Sequence, residues 1–199
     1  LTELGLTEFP RQLFSLVNTL ELLDLSGNQL TQLPEDFARF TQLRILFASN
    51  NPFTELPQVL GQCPQLEMVG FKACQIRHVA EDSLPPRLRW LILTDNQLSA
   101  LPERLGQCNR LQKLMLSCNQ LQSLSNLEAC HHLELLRIAS NRFTAVPEQV
   151  LNAPTLAWPA VASNPLTHKS EQLALATPTL KAISYQNLEV GALLGEGAS

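Results

Sequence analysis

No apolar run in this 199-residue sequence approaches the roughly 20 residues that a membrane-spanning helix needs. No membrane partner is therefore expected. Lys and Arg never form a run, and the net charge is -4 with a pI near 5.6. A surface for nucleic acid needs a basic patch to neutralise phosphates, so no nucleic-acid partner is expected either. There is no C-x-x-C pair. Cys63, Cys74, Cys108, Cys118 and Cys130 stand apart, and an odd, unclustered set makes neither a disulfide framework nor a zinc site. Free thiols suit a reducing compartment, so the expected location is cytoplasmic. The chain opens at Leu1 without Met or a signal-like segment, which reads as a start inside a longer gene. Catalytic sets are missing as well. His78, His131, His132 and His168 have no Cys or Asp at metal-ligand spacing, and no Ser, His and Asp share a plausible site. Acidic pairs such as Glu35-Asp36 and Glu81-Asp82 read as solvated charges. The expectation is no catalytic residue, no metal and no cofactor in this chain.

What the sequence has is a period. It is 45% hydrophobic and 16% charged, enough to bury a core. Leucines that open similar segments fall at Leu20, Leu43, Leu66, Leu88, Leu111, Leu133, Leu156 and Leu180, always 22 to 24 residues apart. Within each period the pattern is L-x-x-L-x-L-x-x-N-x-L-x-x-L-P. Its Asn position holds Asn28, Asn51, Asn96, Asn119, Asn141 and Asn164, with Cys74 standing in once. Its last step is Leu33-Pro34, Leu56-Pro57, Leu101-Pro102 and Val146-Pro147.

Period, Asn column and L-P step together resemble the leucine-rich-repeat family, in the form of about 23 residues seen in bacterial and intracellular proteins. The resemblance implies an α/β repeat solenoid, a horseshoe with a parallel concave sheet and a convex side of loops and short helices. It covers residues 1–185, about seven full repeats with partial repeats at the ends. The alternating L-x-L makes a short strand that pairs in parallel with the next repeat. Each repeat buries its apolar side against its neighbours, so the core runs the length of the stack. The Asn column is expected to bond backbone inside the turn, and Pro directs the chain to the convex side. Cys63, Cys108 and Cys130 each precede an opening leucine by three residues, a column expected to be buried. Cys118 is expected at the end of the concave sheet. Pro159 occupies an inward strand position, where its missing N–H is expected to make the strand irregular.

In such a repeat the strand x positions face solvent on the concave side. Here most are large and apolar. The expected protein-binding face consists of Ile45, Phe47, Met68, Trp90, Ile92 and Met115 in one patch, continued by Leu135, Arg137 and Trp158. A contiguous exposed apolar patch marks a binding surface, and Trp, Met and Arg are enriched at interface centres. The expected partner is a protein ligand, with an adjoining domain of the same chain or a second copy as the other occupants.

Residues 186–199 read as a linker and the start of a further domain. The run N-L-E-V-G-A-L-L-G-E-G-A-S from Asn187 resembles the first strand and Gly-rich loop of a protein kinase. Gly195 and Gly197 match the first two glycines of G-x-G-x-x-G, and the third would follow Ser199. The fuller resemblance is to the N-terminal repeat region of bacterial leucine-rich-repeat protein kinases. It implies ATP and magnesium as cofactors of a full-length kinase, with Gly195 and Gly197 over the nucleotide. The chain lacks the strand lysine and the catalytic aspartates, so it is not itself that enzyme. The alternative is a bacterial effector with another catalytic domain, such as a ubiquitin ligase.

Overall fold

The computed structural model describes residues 1–124, 127, 129–151 and 155–176. It contains two compact units, Leu1–His168 and Lys169–Ser199. In the second, the helix His168–Ala176 is the described element. Leu180, Ile183, Tyr185, Gly195 and Gly197 lie outside the described residues, and so does the segment 186–199.

The first unit is a leucine-rich-repeat solenoid. Among the described residues, seven three-residue strands form one sheet in chain order: β1 (Leu22–Asp24), β2 (Ile45–Phe47), β3 (Met68–Gly70), β4 (Trp90–Ile92), β5 (Lys113–Met115), β6 (Leu135–Arg137) and β7 (Trp158–Ala160). Every neighbouring pair is parallel and aligned at the same repeat position. The convex side consists of 3-10 turns such as Glu35–Arg39, Gln58–Gln62 and Glu103–Gln107. The prolines of the L-P step, Pro34, Pro57 and Pro102, cap these turns with φ between -57 and -66. That is the angle the pyrrolidine ring imposes.

The leucine columns fill the interior as one continuous core, from Phe9 to Phe143. Phe53 and Phe71 meet edge to face at 5.0 Å, and Phe9, Phe14, Phe37 and Phe40 cluster near the start. Among the described residues no helix is long and apolar enough to cross a membrane.

The Asn column is buried at every rung. From Asn51 onward each amide NH2 donates to the carbonyl of the inward residue just after the strand, in its own repeat and in the preceding one. Asn119 donates to Leu116 at 3.0 Å and Leu93 at 2.9 Å. Its Oδ1 accepts from the N–H of Leu98, again one repeat back. Just before each rung stands a residue with positive φ: Gly27, Asn50, Ala73, Asp95, Cys118, Ser140 and Ser163. The left-handed region strains any residue other than glycine. Gly27, Asn50, Ala73, Asp95, Cys118 and Ser140 each donate a backbone hydrogen bond to the following repeat, as Asn50 does to Lys72 and Asp95 to Ser117.

Pro159 does not disturb β7, contrary to the sequence expectation. Backbone groups of a strand alternate sides. Trp158 donates to Glu134, and Ala160 accepts from Ile138, so these two residues face β6. Pro159 between them faces away, and its missing N–H is lost only to a strand beyond β7.

Cys63 and Cys130 are buried, whereas Cys108 is half-buried and Cys118 exposed. Burial pushes the thiols of Cys63 and Cys130 up to about 12 and that of Cys108 up to about 11. The Cys74 thiol is also raised by burial, against backbone hydrogen bonds that lower it. Thiolate is the reactive form. At pH 8 a thiol reagent is therefore expected to label Cys118 first and Cys63 only after unfolding. Rapid titration of all five thiols in the native chain, read by mass spectrometry, would contradict this burial pattern.

Candidate concave binding face

The strand register assembles the face from two rows. One runs Leu22, Ile45, Met68, Trp90, Lys113, Leu135, Trp158; the other runs Asp24, Phe47, Gly70, Ile92, Met115, Arg137, Ala160. All nine residues singled out from the sequence stand on this face. They are less open than the pattern suggested. Ile45, Phe47, Met68, Trp90, Ile92, Met115 and Leu135 are half-buried, and Gly70 is buried. Arg137 is exposed, and Trp158 is 72% exposed.

The reason is the close strand spacing of about 4.8 Å, which lets a long side chain lie across its neighbour. The Phe47 ring occupies the space over Gly70, where an added Cβ would come 2.5 Å from the ring. The Lys113 ammonium sits 3.8 Å from the centre of the Trp90 ring, a cation–π contact. The Trp90 Nε1–H is buried and has no hydrogen-bond acceptor among the described residues. At the β7 end, Leu135, Arg137, Trp158, Pro159 and Ala160 line a depression of about 260 Å³.

A charged belt borders the face at the start of the strands. Glu67 lies between Arg44 at 3.2 Å and Arg89 at 3.4 Å, with its side chain 15% exposed. Burial alone would raise its carboxyl, but the two guanidinium groups outweigh burial and hold it below the usual range. Sequence reasoning passed over this belt. The alternation Arg44, Glu67, Arg89 one period apart is its signal, because residues in register on parallel strands are neighbours.

His78, His131, His132 and His168 are all exposed. Among the described residues no group of three or more His, Cys, Asp or Glu could hold a metal ion.

Comparison with known proteins agrees with this architecture. The chain is similar to a leucine-rich-repeat protein of Leptospira interrogans, with 22% identity over 82% of this chain and 60% of that one, at a TM-score of 0.54. It is similar to TLR13, solved as a complex with ssRNA13, with 26% identity over 80% of this chain and 24% of that one, at a TM-score of 0.71. It is also similar to the repeat ectodomain of the plant membrane receptor kinase GASSHO1/SCHENGEN3 from Arabidopsis thaliana. That structure contains CASPARIAN STRIP INTEGRITY FACTOR 2; identity is 26% over 79% of this chain and 20% of that one, at a TM-score of 0.68. The chain thus spans less than two thirds of each of these proteins. No curated protein sequence matches it at a comparable level. The leucine rich repeat profile matches residues 1–53 and 86–143, more than half of the sequence, and the chain belongs to the leucine-rich-repeat family.

Proposed function

We propose that this chain is a protein-recognition module that binds an apolar segment of a partner protein on its concave face. The observation that carries this reading is the composition of that face. Two strand rows that could have been polar instead present Ile45, Phe47, Met68, Trp90, Ile92 and Met115 side by side. An apolar patch of this kind raises the free energy of the isolated domain, and covering it with a partner recovers that cost. Trp and Arg are the residue types that dominate interface energies.

The finer part of the proposal is that the module recruits substrate to, or regulates, a protein kinase joined after it in a cytoplasmic protein. The Gly195-x-Gly197 pair and the apolar run before it support that reading. Codons for Gly and then a Val-Ala-x-Lys strand beyond Ser199 are the expected continuation. A stop codon there would remove the kinase while leaving the recognition module intact.

Capture of partners from native lysate tests the recognition reading. The bait is the 199-residue chain beside its Phe47→Ser/Trp90→Ser/Ile92→Ser and Trp158→Ser variants. Hot-spot truncations cost about 2 kcal/mol or more, so the triple variant is expected to lose its partner by at least about tenfold. Trp158 is 72% exposed, so its variant keeps the wild-type melting curve and serves when the triple variant is destabilised. Equal capture by wild type and both variants would place recognition elsewhere.

A further inference from the structure

The sheet face carries two cations that have no counter-ion among the described residues, and they stand between the only two tryptophans of the sequence. Trp90, Lys113, Leu135 and Trp158 are successive partners across β4 to β7, and Arg137 lies one row over on β6. The bordering arginines Arg44 and Arg89 already share Glu67. Lys113 and Arg137 have no carboxylate within ion-pair distance among the described residues. Lys113 rests on the Trp90 ring, and Arg137 lines the depression together with Trp158. Asp24, the acidic residue of the two rows, is on β1 at the opposite end.

We infer that the concave face reads a carboxylate: Lys113 and Arg137 hold the Asp or Glu side chain of an extended partner segment, and apolar partner residues on either side seat on Trp90 and in the Trp158 depression. This rests on the concave-face reading above. The guanidinium of Arg137 offers the fork that matches a carboxylate. Three strand steps separate the tryptophans, about 14 Å, which an extended chain crosses in about four residues. The motif is thus one acidic residue with an apolar residue a few positions away on each side. Phosphate would satisfy the same cations, but a chain of net charge -4 with an apolar floor between them favours a peptide over a nucleic acid.

Selection from a displayed library of random linear peptides, anchored at both ends so that no free C-terminus is offered, tests this with the whole chain. The wild type is expected to enrich Asp or Glu between apolar residues. The Lys113→Glu/Arg137→Glu variant is expected to enrich Lys or Arg there instead. Changing the acidic residue of a selected peptide to its amide is expected to weaken binding about tenfold, while binding of the parent peptide shifts tryptophan emission. Arg137 is exposed, so Arg137→Glu alone replaces the double variant if that one melts early. Apolar peptides enriched without acidic bias, and lost on Phe47→Ser/Ile92→Ser, would overturn the carboxylate seat and leave the concave face as the binding site. Enrichment indifferent to every one of these variants would overturn both. A single-stranded RNA that binds where no peptide does would overturn the peptide assignment in favour of phosphate.

Discussion

Gly61→Ala is expected to lower the melting temperature by about 6 to 12 °C and to broaden the denaturant transition. Gly61 lies in the 3-10 turn Gln58–Gln62, packed against the next convex turn, Glu81–Ser83. A Cβ at position 61 would stand 1.8 Å from the Asp82 carbonyl oxygen and 2.8 Å from its carbon. Both are backbone atoms, so no rotamer relieves the clash and the two turns must separate. Overpacking of this kind costs about 3 kcal/mol or more, and each kcal/mol moves the midpoint of a protein this size by about 2–4 °C. Stability in a solenoid is a chain of nearest-neighbour interfaces. A weakened interface in mid-stack therefore lets the repeats on its two sides unfold separately, which broadens the transition. Gly70→Ala is the control. Its Cβ meets the Phe47 ring at 2.5 Å, and a side-chain ring can turn aside, so the loss is expected to be smaller. Equal melting curves for wild type and Gly61→Ala would show that the convex turns are not in such close contact.

The repeating core was legible because it is set by local chemistry repeated at a fixed interval. Opening leucines, inward strand residues and L-P steps each recur in register, and a parallel stack is the arrangement that buries all of them. The Asn column was legible for the same reason. Gly61 was not, although Leu60-Gly61-Gln62-Cys63 recurs at Leu105-Gly106-Gln107-Cys108. A glycine inside a turn reads as flexibility, and only the position of the Asp82 carbonyl shows it as a close contact. The left-handed column was hidden too, because glycine marks only its first member, Gly27. The other six carry side chains, and what holds most of them is a hydrogen bond to the next repeat, invisible to local propensity.

For the concave face, sequence placed the side chains in their rows but not their tilt. Alternation tells which way a Cβ points and nothing about the ring of Phe47 folding over Gly70 or the amine of Lys113 over Trp90. Those contacts convert a nominally exposed row into a half-buried one. Pro159 shows the same limit. Its place in the period reads as an interruption of the strand, whereas the decisive fact is which neighbour its absent N–H would have faced.

Asn119→Ala is expected to cost about 3 kcal/mol, and Cys74→Asn is expected to add about 1 kcal/mol. The ladder is redundant in one half and not in the other. The Leu93 carbonyl accepts from both Asn96 and Asn119, and the Leu116 carbonyl from both Asn119 and Asn141. Loss of the Asn119 amide therefore leaves each carbonyl one donor. The Leu98 N–H has no such reserve, because its acceptor is the Asn119 Oδ1 alone, at 2.9 Å in a buried setting. An orphaned buried donor costs about 1–3 kcal/mol, and the lost bonds to the amide add to it. Cys74 is the natural version of this defect. Its Sγ reaches the Ala48 carbonyl at 3.5 Å and Lys72 at 3.7 Å, keeping a weak form of the donor half. A sulfur is a poor acceptor for the Phe53 N–H, the counterpart of Leu98. Restoring Asn at position 74 supplies that acceptor and completes the column from Asn51 to Asn96. Urea unfolding of the two variants beside the wild type decides the matter. If Asn119→Ala is neutral, or Cys74→Asn lowers stability, the Oδ1 acceptor is not what holds successive repeats together.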